Sequence, residues 1–231
     1  MQTYVLRLWL PDIPGTLGRV AAAIGEANGD VIGIEILERG AGMAIDELIV
    51  TLPISDSERD TDSGREAFGL DQLISHVSRV DGVAVEDVHR VAQDRPDQSV
   101  LALDTAARIM ETPREDRTEA TCELVRDMLE ADWCTVVPNG AHAPLAVSGD
   151  VPDLPWVMAF LGGIGHLASD AQYEHTPADI AWAPLDLLDA AIVVGRLRGA
   201  FRLRERQHLT LIARIVSSAL ASASSNSSEL N

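Results

Sequence analysis

The sequence predicts an α+β protein built from two units, each an antiparallel sheet with flanking helices. Three observations predict it. Alternating apolar residues at Tyr4, Leu6, Leu8 and Leu10 give way at once to helical spacing at Leu17, Val20, Ala21, Ile24 and Ala27. The alternation of strands and helices then runs β-α-β-β-α-β and closes near Val91. A polar stretch, Ala92 to Ser99, separates that pattern from a second set of strands that ends in a long amphipathic helix.

In the first unit, residues 1–92, the first strand spans Tyr4 to Leu10 and its helix stops at Asn28-Gly29, where the glycine is expected to take the left-handed conformation. Val31 to Glu38 and Met43 to Leu52 form a hairpin around Arg39-Gly40-Ala41-Gly42. Pro53 to Glu66 reads as a solvated loop, Phe68, Leu70, Leu73, Ile74 and Val77 mark a second helix, and Val83 to Val91 is a fourth strand. This order is the ferredoxin-like arrangement.

Residues 93–99 are a linker. In the second unit, residues 100–222, one helix carries Val100, Leu103, Ala107 and Met110 as its apolar side, and another carries Thr121, Leu124, Val125, Met128 and Leu129. Trp133 to Val137 and Pro144 to Ser148 are strands around an Asn139-Gly140 turn. Leu154 to Leu167 is partly helical, and Asp179 to Ala183 and Ala190 to Leu197 are strands. Arg204 to Ser222 closes the unit with Leu209, Ile212, Ala213, Val216 and Leu220 inside. The serine-rich tail, residues 223–231, is expected to be disordered.

Composition narrows the function. The 231 residues carry a formal charge of −18, which repels phosphate backbones and argues against a nucleic-acid partner. All 18 basic residues are arginine, so Schiff-base chemistry, a pyridoxal-phosphate anchor and a Walker A loop are excluded. No apolar run is long enough to span a bilayer and no secretory leader is evident, so no membrane partner and a cytoplasmic location are expected. Cys122 and Cys134 match no zinc or redox spacing and are expected to be buried free thiols.

The residues that point to function are Asp12-Ile13-Pro14-Gly15-Thr16-Leu17, between the first strand and its helix. A helix start offers unpaired N–H groups and partial positive charge to a carboxylate, and Asp12 offers a carboxylate to an ammonium group. From the residues alone, a capped helix behind a tight turn is an equal reading.

Other constellations carry less. Gly163 to Ala168 fits a dinucleotide fingerprint in letters but leaves no room for the following helix and crossover. His142, His166, Glu174 and His175 match no metal-ligand spacing, and in the run Asp56, Glu58, Asp60, Asp62 the residue Ser63 stands where a calcium loop needs glycine. Arg196, Arg198, Arg202, Arg204 and Arg206 form a basic cluster, read either as an anion or partner site or as a turn paired with carboxylates. No catalytic signature, cofactor motif or metal site is expected.

The βαββαβ order with Asp12-x-Pro14-Gly15-x-Leu17 after the first strand resembles an ACT domain over residues 3 to 91. A second ACT signature runs into the second strand as glycine, any residue, asparagine and isoleucine; here it is Gly29-Asp30-Val31-Ile32, with valine in place of asparagine. The resemblance implies an amino-acid site formed by residues 12–17 and by Asn28, Gly29, Asp30, Val31 and Ile32. It also implies side-by-side pairing into a homodimer, with that site closed across the interface. Ile180-Ala181-Trp182-Ala183-Pro184-Leu185, then Ala191 to Arg196, then Phe201, Glu205 and Leu209 resemble a GAF domain. That resemblance implies a small-molecule sensor or a dimerisation platform built on terminal helices, with His166, Tyr173, His175 and Trp182 as pocket-lining candidates. The resulting expectation is a non-enzymatic sensor of an amino acid or similar metabolite that acts on a separate protein partner. The alternatives are a dimerisation and docking module without a ligand, and a GAF-fold thiol redox enzyme.

Overall fold

The computed structural model describes residues 1–53, 66–93, 96–140, 143–165, 177–197 and 199–221. It divides into two compact units, Met1–Asp97 and Gln98–Asn231.

The first unit runs β1 (Gln2–Pro11), α1 (Thr16–Glu26), β2 (Asp30–Gly40), β3 (Met43–Leu52), α2 (Glu66–Ser78) and β4 (Ala84–Val91). The sheet order is β2-β3-β1-β4 and every pair is antiparallel. This is the expected βαββαβ topology. Tyr4, Leu6, Leu8 and Leu10 share one face with Ala44, Leu48, Val50 and Leu52, and pack with Val20, Ile24, Leu73 and Val77 into one core. The β2–β3 hairpin turns through Ala41 (φ 52°) and Gly42 (φ 78°), the two positive-φ positions that suit the twist of the strands.

Two local readings of α1 are corrected. Ala21 is exposed and Ala23 takes its place in the buried stripe. The left-handed residue after the helix is Asn28 (φ 59°), not Gly29. Gly29 is needed for space: a Cβ there would lie 2.8 Å from Ile24 Cγ2 and 3.1 Å from Val50 Cγ1. Its amide donates to the Ile24 carbonyl at 2.9 Å, closing the helix end.

The second unit runs α3 (Gln98–Glu111), α4 (Arg117–Met128), β5 (Trp133–Pro138), β6 (Ala146–Gly149), α5 (Leu154–Gly165), β7 (Ile180–Leu185), a 3₁₀ turn (Asp186–Leu188), β8 (Ala190–Gly195) and α6 (Leu203–Ala221). Its sheet order is β6-β5-β8-β7, again antiparallel throughout. One cluster joins Cys134, Val136, Ile192 and Val194 to α4 and α6; another joins Trp133, Val137, Val193 and Ile180 to Val157 of α5. The expected inner stripe of α6, Leu209, Ile212, Ala213, Val216 and Leu220, is buried.

As expected, β5 and β6 pair antiparallel with Asn139-Gly140 in the connection between them. Gly162 and Gly163 lie inside α5, in keeping with the helical reading of that stretch. One reading here is corrected. The apolar side of α3 is turned outward: Val100, Leu103 and Met110 are exposed, while Thr105, Ala106 and Ile109 face the core. Among the described residues, no helix is long and apolar enough to cross a membrane. The acidic run at residues 56–62, Arg198 and the tail lie outside the described residues.

Candidate ligand site at the β1–α1 turn

Sheet pairing fixes the turn. Pro11 ends β1 opposite Met43, and the Asp12 amide donates to the Gly42 carbonyl at 2.9 Å, so the turn is tied to the β2–β3 hairpin. The Ile13 amide donates to the Pro11 carbonyl at 2.9 Å. Gly15 stands at φ 90°, the left-handed region that disfavours a side chain, and no side chain caps the helix that starts after it. The reading of Asp12 as a helix cap is therefore incorrect. The Thr16 amide donates to the Ile13 carbonyl at 3.3 Å and is not available to a ligand, contrary to expectation. The first helical bond is Arg19 N–H to the Gly15 carbonyl at 3.1 Å, which leaves the Leu17 and Gly18 amides without a backbone acceptor among the described residues.

Asp12 is 40% exposed, and Arg39 Nε of β2 lies 3.9 Å from its Oδ1. Beside them is a group that no motif singles out. Asp46, on β3, is 3% exposed, and its Oδ1 has no hydrogen-bond partner among the described residues. Its cross-strand neighbours are Leu8 and Ile36, so it stands on the helix-facing side of the sheet, in line with Ala44 and Leu48. Burial pushes its carboxyl above the usual range; Arg39 pulls it down and Asp12 pushes it further up.

The other expected half of the site, Asn28 to Ile32, lies past the far end of α1. That helix has 11 residues, about 16 Å of rise, so one chain does not bring the two halves together. Asn28 and Asp30 are exposed, Val31 packs against the core, and Ile32 is the extra residue of a bulge in β2. The strand is an edge, and Ile32, Ile34 and Ile36 on it are exposed. An uncovered edge of this length is a template for another strand.

The second unit shows a different feature. A groove of about 870 Å³ runs between α3 and α6, lined by Leu103, Ala106, Met110, Leu211, Ile215 and others. Arg204 Nη2 of α6 donates to Ser99 Oγ at one end, and Arg114 donates to the Leu220 carbonyl at the other, so the helices run parallel. Of the expected pocket residues, Trp182 packs with the α5 cluster and its Nε1–H is buried without a partner among the described residues. His166, Tyr173 and His175 lie outside the described residues, as do His142 and Glu174. Among the described residues no cluster of three or more His, Cys, Asp or Glu could hold a metal. Both cysteines are buried, and burial together with Cys122 pushes the Cys134 thiol well up, away from the reactive thiolate.

Residues 4–67 match the ACT domain family model. No curated protein matches the chain. Among solved structures, the chain is similar to the ACT domain of a GTP pyrophosphokinase from Chlorobium tepidum, at 15% identity and TM-score 0.28, over 39% of this chain and 100% of that one. It is also similar to the GAF domain of an Acinetobacter phosphoenolpyruvate-protein phosphotransferase, at 16% identity and TM-score 0.38, over 53% and 94%. A bacteriophytochrome from R. palustris is similar at 12% identity and TM-score 0.42, over 92% of this chain and 52% of that one. The N-terminal unit carries an ACT domain at residues 4–67.

Proposed function

We propose that the protein is a non-enzymatic small-molecule sensor whose ACT unit binds an amino acid or related zwitterion. The observation that carries this reading is the β1–α1 turn, which offers the Leu17 and Gly18 amides, without a backbone acceptor among the described residues, and the acidic side chain of Asp12, with Asp46 within electrostatic reach of Asp12. A ligand carboxylate suits the amides and a ligand ammonium suits the acids. Asn28 to Ile32 would come from a second copy paired through the β2 edge, because within one chain they sit at the wrong end of α1. Signal would pass to the GAF-like unit and a separate protein partner through the geometry of that homodimer.

Thermal unfolding against a panel of amino acids tests this. Ligand at a hundred times its Kd stabilises by about 2.7 kcal/mol, a rise of roughly 2–4 °C for a protein of this size. Gly15→Val, which forces a branched side chain into φ 90°, should abolish the rise. Asp12→Ala should reduce it. A full rise in both variants would remove the turn from the site.

The α3–α6 groove supports a second reading, a docking module. Val100, Leu103, Ala107 and Met110 on α3, and His208, Leu211, Ile215 and Ser218 on α6, repeat at spacings of three and four, as in a helical seam. The exposed α3 residues Asp104 and Glu111 are acidic, and α6 offers the exposed Arg214. With α3 laid parallel against α6 of a second copy, these charges would face one another. Leu103→Glu with Leu211→Glu should weaken self-association at least about tenfold in sedimentation equilibrium. Unchanged association would show that this face is not a contact between copies.

A further inference from the structure

We infer that Asp46 is the anchor for the ligand's ammonium group, so that the site takes a zwitterion with a free amine. This inference rests on the amino-acid reading of the β1–α1 turn and assigns a residue that the turn motif does not contain.

A buried carboxylate oxygen without a donor is costly, and each such group in a native structure calls for an explanation. Asp46 Oδ1 is in that condition among the described residues, at 3% residue exposure. Its strand neighbours supply none: Leu8, Ile36, Ala44 and Leu48 are all apolar. The charged groups that face it are Arg39 from β2 and Asp12 from the turn. Arg39 is engaged with Asp12 at 3.9 Å and is 58% exposed, so it approaches Asp46 as a distant charge and makes no hydrogen bond to it. Asp12 is the weaker anchor, being solvated and already close to a guanidinium. An ammonium group would give Asp46 both a counter-charge and up to three donors.

The turn presents charge of both signs. Asp12 and Asp46 stand against the guanidinium of Arg39, Arg19 donates from Nη2 to Thr16 Oγ1 at 3.1 Å at the start of α1, and that helix end adds a fractional positive charge. A zwitterion satisfies both sides, with its carboxylate on the Leu17 and Gly18 amides. A nucleotide or dicarboxylate would add negative charge beside Asp12 and Asp46 and gain no bond to either. Because burial holds the Asp46 carboxyl above its usual range, binding should weaken as the pH falls into that range.

Calorimetric titration of the full chain with the standard amino acids, their N-acetyl forms, and ethanolamine and agmatine tests the assignment. The expected result is an amino acid that binds the wild type, loses about tenfold or more in affinity on N-acetylation, and loses as much in Asp46→Asn but less in Asp12→Asn. The N-acetyl comparison uses the wild type and does not depend on how the variants fold. An amino acid that binds Asp46→Asn, or binds in its N-acetyl form, as it binds the wild type overturns Asp46 as anchor and leaves the amino-acid reading standing. Amines that bind in the absence of any amino-acid binding, and fail with Asp46→Asn, keep the anchor and overturn the amino-acid reading. Binding of neither overturns both.

Discussion

Glu205→Ala should destabilise the C-terminal unit by about 3–5 kcal/mol, one of the two largest losses expected from a single substitution. Glu205 joins the last strand to the last helix. Its Oε1 accepts from Arg196 Nη2 at 2.7 Å, and its Oε2 accepts at 2.7 Å from the amide of Arg202, the residue before α6. The two side chains are 6% and 12% exposed, so the pair is nearly dry. Arg196 also donates to the Ala200 carbonyl at 3.1 Å and lies 3.9 Å over the Phe201 ring. Removing the carboxylate leaves the guanidinium buried without its counter-charge and releases the cap of α6. The melting transition of this unit should fall by roughly 10–20 °C. In a double-mutant cycle, Arg196→Met with Glu205→Leu should recover a large part of the loss, because the uncompensated charge goes with it. A drop below about 1 kcal/mol for Glu205→Ala would mean that the pair is solvated in solution.

This network engages three arginines of the basic cluster, Arg196, Arg204 and Arg206. Arg196 and Arg206 are fastened inward, Arg206 by donating to the Phe201 and Pro177 carbonyls at 3.2 and 3.3 Å, and Arg204 is tied to Ser99. They hold the β8–α6 corner to the unit. Spacing alone could not decide between that and an anion site, since the sign of a charge does not reveal the carbonyls it meets after folding.

Patterns that depend on local periodicity were legible in the sequence. The inner face of β1, the hairpin at Ala41-Gly42 and the inner stripe of α6 follow from residue type at short range. Features that depend on distant partners were not. Gly195 has no distinguishing signal in the sequence, yet a Cβ there would meet the indole ring of Trp133 across the strand pair. The outward face of α3 looks like a core stripe because it is apolar and correctly spaced; only the position of α6 shows which side is covered. Asp12 could be found from its turn motif. Asp46 sits in an ordinary strand sequence, and nothing in Met43–Leu52 distinguishes an inward carboxylate from an outward one until the register with Leu8 is known.

Asp46 and Glu47 are adjacent on β3, and their neutralisation should change stability in opposite directions. Glu47 pairs across the strands with Arg7, Oε2 accepting from Nη2 at 3.0 Å, with side chains 5% and 10% exposed. Glu47→Ala leaves Arg7 buried without this counter-charge and should cost about 3–5 kcal/mol, read as a lower denaturant midpoint for the ACT unit. Asp46→Asn removes a charge that burial disfavours and should raise that midpoint at neutral pH. The sign follows from linkage. A carboxyl whose folded pKa lies above its unfolded one binds a proton more readily when folded, so it contributes most stability at low pH and loses that contribution as pH rises through the folded value. The advantage of Asp46→Asn over the wild type should therefore be full at pH 7 and shrink as the pH falls toward 4, about the unfolded value. A ligand ammonium at Asp46 would reverse the comparison, because the wild type would gain the counter-charge and the asparagine variant would not. Loss of stability for Asp46→Asn at neutral pH without ligand would mean that the carboxylate already has a partner inside the fold.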